Sequence, residues 1–244
     1  MATEARRPAF YALPTGGWRD YVTLLHPPYT AWHLSYVVMG GALAPELSWS
    51  RLGPALAAFF LAVGIGAHAL DELNGRPLRT GIPTRALVAL AAASIAAAVG
   101  IGVVGAVVAT PWLALFVAGG GFIVVAYNLE LAGGRFHGDV WFALAWGAFP
   151  FVTAYFAAAE RIDAAAVAGG ASAFALSLAQ RRLSTPVRDV RRRVLRVEGS
   201  IERSDGTTEP VTTELLLRGN EGALRALALA VPLLALALVM MRIA

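Results

Sequence analysis

The chain contains seven apolar stretches that are each about as long as a membrane-spanning helix, and this feature limits its fold more than any other. A helix needs roughly 17 to 25 mainly apolar residues to cross the hydrocarbon core of a bilayer. Of the 244 residues, 57% are hydrophobic and 15% are charged, and the mean hydropathy is +0.62, which is unusual for a soluble domain. The sequence therefore predicts an all-α membrane bundle of about seven transmembrane helices, at residues 31–48, 53–71, 85–108, 111–129, 139–159, 163–180 and 223–241.

This pattern divides the chain into four segments. Residues 1–30 are predicted as a cytoplasmic N-terminal segment, and residues 31–180 as a six-helix transmembrane core. Residues 181–222 form a basic cytoplasmic segment, and residues 223–244 contain the seventh transmembrane helix. No other region is long and polar enough to form a separate domain.

The basic residues predict the orientation. In the seven-span topology, one side of the membrane carries most of the arginines, whereas the other carries only Arg51, Arg161 and Arg242. Basic residues in short loops are retained in the cytoplasm. We therefore expect an integral membrane protein with its N-terminus in the cytoplasm and its C-terminus outside.

Several classes of chemistry are excluded by composition. The chain has no cysteine, so a disulfide, a thiolate nucleophile and a zinc-thiolate site are all ruled out. All 20 basic residues are arginine, which rules out a lysine Schiff base and supplies planar donors suited to phosphate. Because these arginines lie between apolar spans, their positions are explained by membrane orientation, and nucleic acid is not an expected partner.

The basic segment begins with a pattern typical of an amphipathic helix. Ser184 or Thr185 followed by Pro186 is a helix start signal. Valines then recur at helical spacing among arginines. We predict an interfacial helix over 184–198 whose valines enter the headgroup boundary while its arginines bind anionic lipid headgroups; a plain solvated basic helix is the alternative. The turn signal at 204–207 further predicts a small hairpin.

A polar motif closes the second predicted span. On a helix, His68 shares a face with Asp71 and Glu72, so that the imidazole and the carboxylates could bind one divalent ion together. Asn74 and Arg76 follow within the next turn. The alternative interpretation is a helix end with solvated charges at the membrane interface.

A second polar motif lies between the fourth and fifth spans, on the same side of the membrane. Tyr127 and Glu130 end one span, and Arg135, His137 and Asp139 precede the next. Arginine can hold phosphate through paired hydrogen bonds, and the carboxylates and the histidine are suited to a metal ion. An ordinary polar turn between helices is the alternative.

The order of these motifs resembles the UbiA-type superfamily of intramembrane prenyltransferases. The resemblance covers roughly residues 20 to 160 and depends on four features. The first two are Leu25-His26-Pro27-Pro28 before a span with Gly40-Gly41-Ala42-Leu43-Ala44, and the polar motif of the second span. The other two are the run Arg76-Pro77-Leu78-Arg79-Thr80-Gly81-Ile82-Pro83, and Tyr127 followed by Gly147-Ala148-Phe149-Pro150. That superfamily holds isoprenoid diphosphates on Mg²⁺ with two aspartate-rich loops. The first loop of the family reads approximately NDxxDxxxD, so His68 falls on its first aspartate, Asp71 matches its second and Gly75 falls on its third.

The resemblance implies a site for Mg²⁺, an isoprenoid diphosphate and an apolar or aromatic acceptor. Its catalytic residues would be Asp71, Glu72 and Tyr127. Its diphosphate-binding residues would be Asn74, Arg76, Arg79 and Arg135. Its metal ligands would come from His68, Asp71, Glu72, Glu130, His137 and Asp139.

Two departures from the family pattern bear on activity. Where the second aspartate-rich loop of the family is expected, this chain has only Asp189 and Asp205, without the repeated spacing. Members of the family commonly have nine spans, whereas this chain has room for seven. The expected fold is thus UbiA-like, with a reduced metal site.

Three functions are compatible with these patterns. The first is a metal-dependent UbiA-like prenyltransferase or related isoprenoid-diphosphate enzyme. The second is a non-catalytic protein of degenerate UbiA-like fold that binds lipid or quinone, or docks on a partner through its basic segment. The third is a zinc or iron site for hydrolysis or oxidation. A transporter is less expected, because the two halves show no inverted repeat.

Overall fold

The computed structural model describes residues 7–243, and most of these residues are helical. The first six residues of the predicted N-terminal segment lie outside this range. The helices are α1 (Trp18–Leu24), α2 (Pro27–Leu43), α3 (Trp49–Leu73), α4 (Thr84–Val108), α5 (Leu113–Asn128), the short α6 (Leu131–Gly134), α7 (Asp139–Ala159), α8 (Ala164–Arg193) and α9 (Thr213–Ile243). Two short strands, β1 (Ser200–Glu202) and β2 (Thr208–Pro210), lie between α8 and α9.

Within the described residues, four helices are long and apolar enough to cross a membrane, namely α3, α4, α7 and α9. The shorter helix α5 is also apolar. This composition agrees with the prediction of an all-α membrane protein, because only helices that satisfy their own backbone hydrogen bonds can cross lipid singly. Each of the seven predicted stretches falls largely on one of the long helices, and the number of seven spans stays a prediction.

Helix α2 lies at the centre of the bundle. Its Trp32 and Tyr36 are fully buried, and they belong to a core cluster that includes Phe151 of α7 and Val231 of α9. The helix begins at Pro27, four residues before the predicted span, because a proline in the first turn loses no helical hydrogen bond.

Small residues allow the helix backbones to approach closely. A Cβ atom added to Gly40 of α2 would lie 2.2 Å from the carbonyl oxygen of Phe151 in α7. A Cβ added to Gly147 of α7 would lie 2.5 Å from the carbonyl oxygen of Ala173 in α8. Glycines at such contacts are typical of membrane helix packing.

Contacts at both ends show that α2 and α3 run in opposite directions, and that α7 and α8 do so as well. At one end, His26 before α2 stacks on His68 near the end of α3, and Arg181 of α8 pairs with Asp139 at the start of α7. We call this the arginine-rich end. At the opposite end, Arg51 of α3 forms an ion pair with a glutamate that follows α7.

Two helices contain a π-helical segment. In α3 the segment is Phe60–Ala67, directly before His68, and in α7 it is Leu144–Ala148. A π segment changes the direction in which the following side chains point and often occurs near functional residues. Both segments lie one or two turns from the polar motifs.

The interfacial helix predicted at 184–198 is not a separate element. Pro186 lies inside α8, which continues without a break to Arg193. Val187 is buried against Leu217 and Leu224 of α9, so this valine packs within the protein. The helix start signal was overridden because α9 covers this apolar face.

Helices α8 and α9 are longer than a membrane crossing requires. They contain 30 and 31 residues. At about 1.5 Å per residue each is about 45 Å long, against about 30 Å for the hydrocarbon core. The predicted basic segment 181–222 is therefore largely a helical extension of the bundle. Its remaining part contains the predicted hairpin, which is confirmed by antiparallel pairing of Ile201 with Glu209.

Candidate functional site

Polar side chains from five parts of the chain meet at the arginine-rich end, where protein atoms surround them closely while most of them stay partly exposed. We call this the polar recess. Five parts of the chain line it: the segment before α1, the start of α2, the end of α3, the α5–α7 connection and the second half of α8. In that order they contribute Tyr11; His26; His68 and Asp71; Tyr127 and His137; and Arg181, Arg188 and Arg192. The two predicted polar motifs thus converge on one site.

The histidines at the recess have a defined tautomer. The rings of His26 and His68 are stacked with centroids 4.0 Å apart. Each Nδ1 lies within 3.0 Å of a backbone carbonyl oxygen, that of Leu24 for His26 and that of Gly64 for His68. Because a carbonyl can only accept a hydrogen bond, each Nδ1 carries the proton in the neutral ring. Each Nε2 is therefore a free base.

Asp71 is the carboxylate of the first motif that faces the recess. It remains partly exposed although neighbouring atoms surround it closely, as expected for a side chain that lines a recess. It interacts electrostatically with Arg192, Arg188 and His137. Within residues 7–243 its carboxylate accepts no hydrogen bond, so its oxygens are available to a ligand.

Glu72, the neighbouring carboxylate, is occupied by the loop that follows α3. It is completely buried and accepts hydrogen bonds from the backbone N–H groups of Leu78 and Thr80 and from the Thr80 hydroxyl, at 2.8 to 2.9 Å. A buried carboxylate is stabilised when such donors satisfy it. Glu72 thus holds the loop in place, and both of its carboxylate oxygens accept hydrogen bonds from that loop.

Two of the arginines predicted to bind diphosphate donate hydrogen bonds to backbone carbonyl oxygens. Arg76 donates to the carbonyl oxygen of Ile82 at 2.6 Å, and Arg79 donates to that of Arg192 at 3.2 Å. Arg135 is exposed. Asn74, the fourth predicted residue, donates to the carbonyl oxygen of Asn128 at 3.3 Å and so joins the ends of α3 and α5.

Tyr127 of the second motif is buried in the recess wall. Its ring centroid lies 4.5 Å from that of His137 and 4.5 Å from that of Trp146. Its hydroxyl has no hydrogen-bond partner within the described residues. A buried hydroxyl without a partner costs free energy, so Tyr127 is a strong candidate for contact with a ligand.

The other residues of the second motif lie at the edge of the recess. His137 donates from Nδ1 to the carbonyl oxygen of Tyr127 at 3.1 Å, and this nitrogen also lies 3.9 Å from an oxygen of Glu130. Asp139 pairs with Arg181 at 3.1 Å. Glu130 and Asp139 are about half exposed and do not converge on Asp71.

The sequence interpretation missed the arginines of α8 as site residues. Arg181, Arg188 and Arg192, which we call the α8 arginines, are spaced by seven and four residues, so they share one helix face. This spacing was a usable signal, but the basic run at 184–198 was predicted to bind lipid headgroups, with a solvated basic helix as the alternative. In the structure, Arg188 interacts electrostatically with Tyr127 and Asp71.

The electrostatic field of the recess is positive. Burial and the nearby charges of Arg181 and Arg192 lower the pKa of Arg188 below its usual value, although Tyr127 and Asp71 act in the opposite direction. Burial and the neighbouring His68, with smaller effects of the arginines, hold the pKa of His26 well below its usual value. His26 is therefore neutral near pH 7.

The predicted six-residue metal site does not form as one cluster. Among residues 7–243, no group of three or more His, Asp or Glu side chains is arranged so that it could hold a metal ion. The described residues therefore do not fit a protein-ligated Mg²⁺ of the expected kind, and Mg²⁺ stays a prediction of the resemblance.

A separate apolar cavity of about 870 Å³ lies among α3, α4, α5 and α7. It reaches from Arg51 and Ala109 near the opposite end to Ala62 and Val124 in the middle of the bundle. A layer of buried residues that includes Val124, Tyr127 and Trp146 belongs to the core between this cavity and the polar recess. The volume is within the range of small-molecule sites.

Comparison with known proteins finds no matching family model, no matching curated protein and no matching solved structure. The resemblance to the UbiA-type superfamily consequently remains a prediction from motifs. The function is best argued from the residues that meet at the polar recess.

Proposed function

We propose that this membrane protein binds an amphiphile with an anionic headgroup in the polar recess, and that it acts as a UbiA-like prenyltransferase or related isoprenoid-diphosphate enzyme. The observation that carries the proposal is the convergence of His68 and Asp71 of α3 with Tyr127 and His137 at one end of an apolar bundle. The headgroup would occupy the recess and the apolar chain would lie among the helices. The recess would face the cytoplasm, as the arginine distribution predicts.

The residues of the recess suit the chemistry of an allylic diphosphate. In such a reaction the bond between the allylic carbon and the diphosphate oxygen breaks, and its electron pair leaves with the diphosphate. The carbocation then bonds to the acceptor, which loses a proton. Positive side chains stabilise the charge on the departing oxygens, and the released anionic diphosphate can accept the proton.

Asp71 would orient the substrate or a cation that arrives with it. Mg²⁺ needs few protein ligands when phosphate oxygens and water complete its shell. Asp71 is the carboxylate of the recess that is free of hydrogen bonds within residues 7–243. The proposal therefore depends on Asp71 but not on the wider metal set.

The direct test is diphosphate release by the purified protein from an isoprenyl diphosphate, in the presence of an aromatic acceptor and Mg²⁺. Wild type is expected to release diphosphate, and Asp71→Asn should reduce the rate at least tenfold. Glu130→Gln is a matched control, since it also removes one carboxylate but from an exposed position. Equal turnover of wild type and Asp71→Asn would end the proposal.

The second candidate, a lipid- or quinone-binding protein without catalysis, is favoured by the apolar cavity of about 870 Å³. Its walls are almost entirely apolar, so they suit a neutral hydrocarbon chain or ring. Mass spectrometry of lipids that copurify with the protein distinguishes the two. A stoichiometric lipid together with no diphosphate release supports this candidate over the enzyme.

A further inference from the structure

We infer that the α8 arginines, together with the Tyr127 hydroxyl, form a binding site for a phosphate or diphosphate group that they contact directly. The inference deepens the proposed function, on which it rests for the identity of the amphiphile. It assigns the anionic group to residues outside both predicted polar motifs.

The α8 arginines lie beside the buried Tyr127. Arg181 has only 14% of its side chain exposed, and its guanidinium lies over the ring of Phe142 at 5.5 Å from the centroid. The Phe142 ring lies 6.1 Å from that of Tyr127. Arg181 is thereby fixed beside the buried tyrosine, and Arg188 and Arg192 follow on the same face of α8.

Two of the α8 arginines have no counter-charge among the described residues. Arg181 is paired with Asp139, but within residues 7–243 no carboxylate forms an ion pair with Arg188 or Arg192. In the same range the Arg188 side chain donates only to the Thr185 hydroxyl, and the Arg192 side chain donates only to the carbonyl oxygen of Pro8. Asp71 acts on both from a distance. Burying positive charge without a partner is costly, so the recess is suited to an anion.

The Tyr127 hydroxyl is a buried donor beside these arginines. Tyr127 is 5% exposed, and its hydroxyl has no partner within the described residues. It interacts electrostatically with Arg181 and Arg188, so it belongs to the same space. A hydroxyl donor beside guanidinium forks is a suitable arrangement for phosphate oxygens, which accept several charge-assisted hydrogen bonds at once.

The neighbouring arginine shows that pairing is possible in this part of the chain. Arg191 forms a buried ion pair with Glu221 of α9, which ties the two helices together. The same helix therefore uses one arginine for structure and presents two others to the recess. This division is expected if the recess receives a negatively charged group.

The experiment measures binding of inorganic diphosphate and of an isoprenyl diphosphate by calorimetry, in detergent and with EDTA to remove divalent metal. Arg188→Gln and Arg192→Gln should each weaken binding about 10- to 100-fold, as expected for loss of a charge-assisted hydrogen bond. Tyr127→Phe should weaken it several-fold. Arg182→Gln, which removes the same charge from an exposed position of α8, should bind within about twofold of wild type.

A further binding measurement, made with lipid vesicles, identifies the source of the phosphate. Vesicles that contain phosphatidic acid are compared with vesicles of phosphatidylcholine alone. Competition by inorganic diphosphate supports a free or isoprenoid diphosphate, whereas binding to phosphatidic acid alone supports a lipid headgroup. No binding in any arm, equal loss in Arg182→Gln, or complete loss with EDTA would overturn the inference.

Chemical protection keeps the test valid if a variant fails to fold. Wild-type protein is treated with phenylglyoxal, which modifies arginine, and the modified positions are mapped by mass spectrometry. Diphosphate should protect Arg188 and Arg192 but not Arg182, and equal modification with and without diphosphate would contradict the inference. Diphosphate binding without diphosphate release would support this binding site and contradict the proposed enzymatic function. Turnover that is unchanged in Arg188→Gln and Arg192→Gln would support the enzymatic function and contradict this binding site.

Discussion

The two ends of the bundle use arginine in different ways. At the opposite end, Arg51 pairs with Glu160 at 2.7 Å, and Arg242 donates to the backbone carbonyl of Ala44. At the arginine-rich end, Arg188 and Arg192 face the polar recess without an ion pair from residues 7–243. The paired arginines at the opposite end stabilise the fold, whereas Arg188 and Arg192 keep the polar recess positive. Arginines of the same type thus differ in role according to whether a partner within the protein satisfies them.

The largest expected effect concerns the paired arginine within the arginine-rich end. Glu221→Ala removes the carboxylate from the buried pair with Arg191, whose side chains are 9% and 7% exposed. Because the buried guanidinium then loses this carboxylate, the free energy of unfolding should fall by about 3 to 5 kcal/mol. Equilibrium unfolding in detergent measures this change.

The matched control is Glu160→Ala at the opposite end, where the pair with Arg51 is about one third exposed. Its loss should cost about 1 kcal/mol or less. Equal costs for the two variants would contradict the distinction between a buried structural pair and an exposed one.

The second-largest expected loss of stability concerns the close backbone contact between α2 and α7. In Gly40→Ala the new methyl group would meet the carbonyl oxygen of Phe151 at 2.2 Å, so α2 and α7 must separate. A cost of about 1 to 3 kcal/mol is expected from this overpacking. Gly119→Ala, which meets nothing within 4 Å, should be neutral in the same unfolding measurement. If both variants are neutral, the contact between α2 and α7 is looser than described.

Two neighbouring carboxylates should separate structure from function within α3. Glu72→Gln disturbs three hydrogen bonds to the loop and should cost about 1 to 2 kcal/mol. It should also accelerate hydrogen exchange at the Leu78 and Thr80 amides. Asp71→Asn should change stability by less than about 0.5 kcal/mol while it removes activity. The reverse pattern would show that Glu72, and not Asp71, is the functional carboxylate.

The smallest expected effect is a pH dependence at the recess. His26 faces His68, Tyr11, Arg188 and Arg192, and its pKa lies well below the ordinary 6.5. His26 therefore takes up a proton more readily in the unfolded chain than in the folded protein. Its contribution to the free energy of unfolding is complete above pH 6.5 and decreases as the pH falls below 6.5. Wild type should lose about 1 kcal/mol more than His26→Gln between about pH 6.5 and pH 5.5. Parallel stability profiles for the two proteins would contradict a buried neutral His26.

Much of the helical architecture was predictable because it depends on local patterns. Length and apolarity predicted the positions of the long helices, and the turn residues at 204–207 predicted the hairpin that β1 and β2 form. The convergence of His68 with Tyr127 at one end followed from counting spans. These features need no knowledge of which helices touch.

The division of the arginines between paired and unpaired positions was not predictable in the same way. The shared face of Arg181, Arg188 and Arg192 follows from their spacing, but the sequence does not show which part of the protein that face meets. The valines at helical spacing suggested a lipid-facing surface, but Leu217 and Leu224 of α9 cover Val187. Similarly, only the fold of the loop after α3 decides that Glu72 is buried while Asp71 remains available.

The most direct test of the proposed recess is a cryo-electron microscopy map of the full chain in lipid nanodiscs with a saturating isoprenyl diphosphate. The account predicts density for the diphosphate between Arg188, Arg192 and the Tyr127 hydroxyl, with oxygens at about 3 Å from their donors. An empty recess at saturation, or diphosphate bound beside Arg51 or Arg242 at the opposite end, would contradict it.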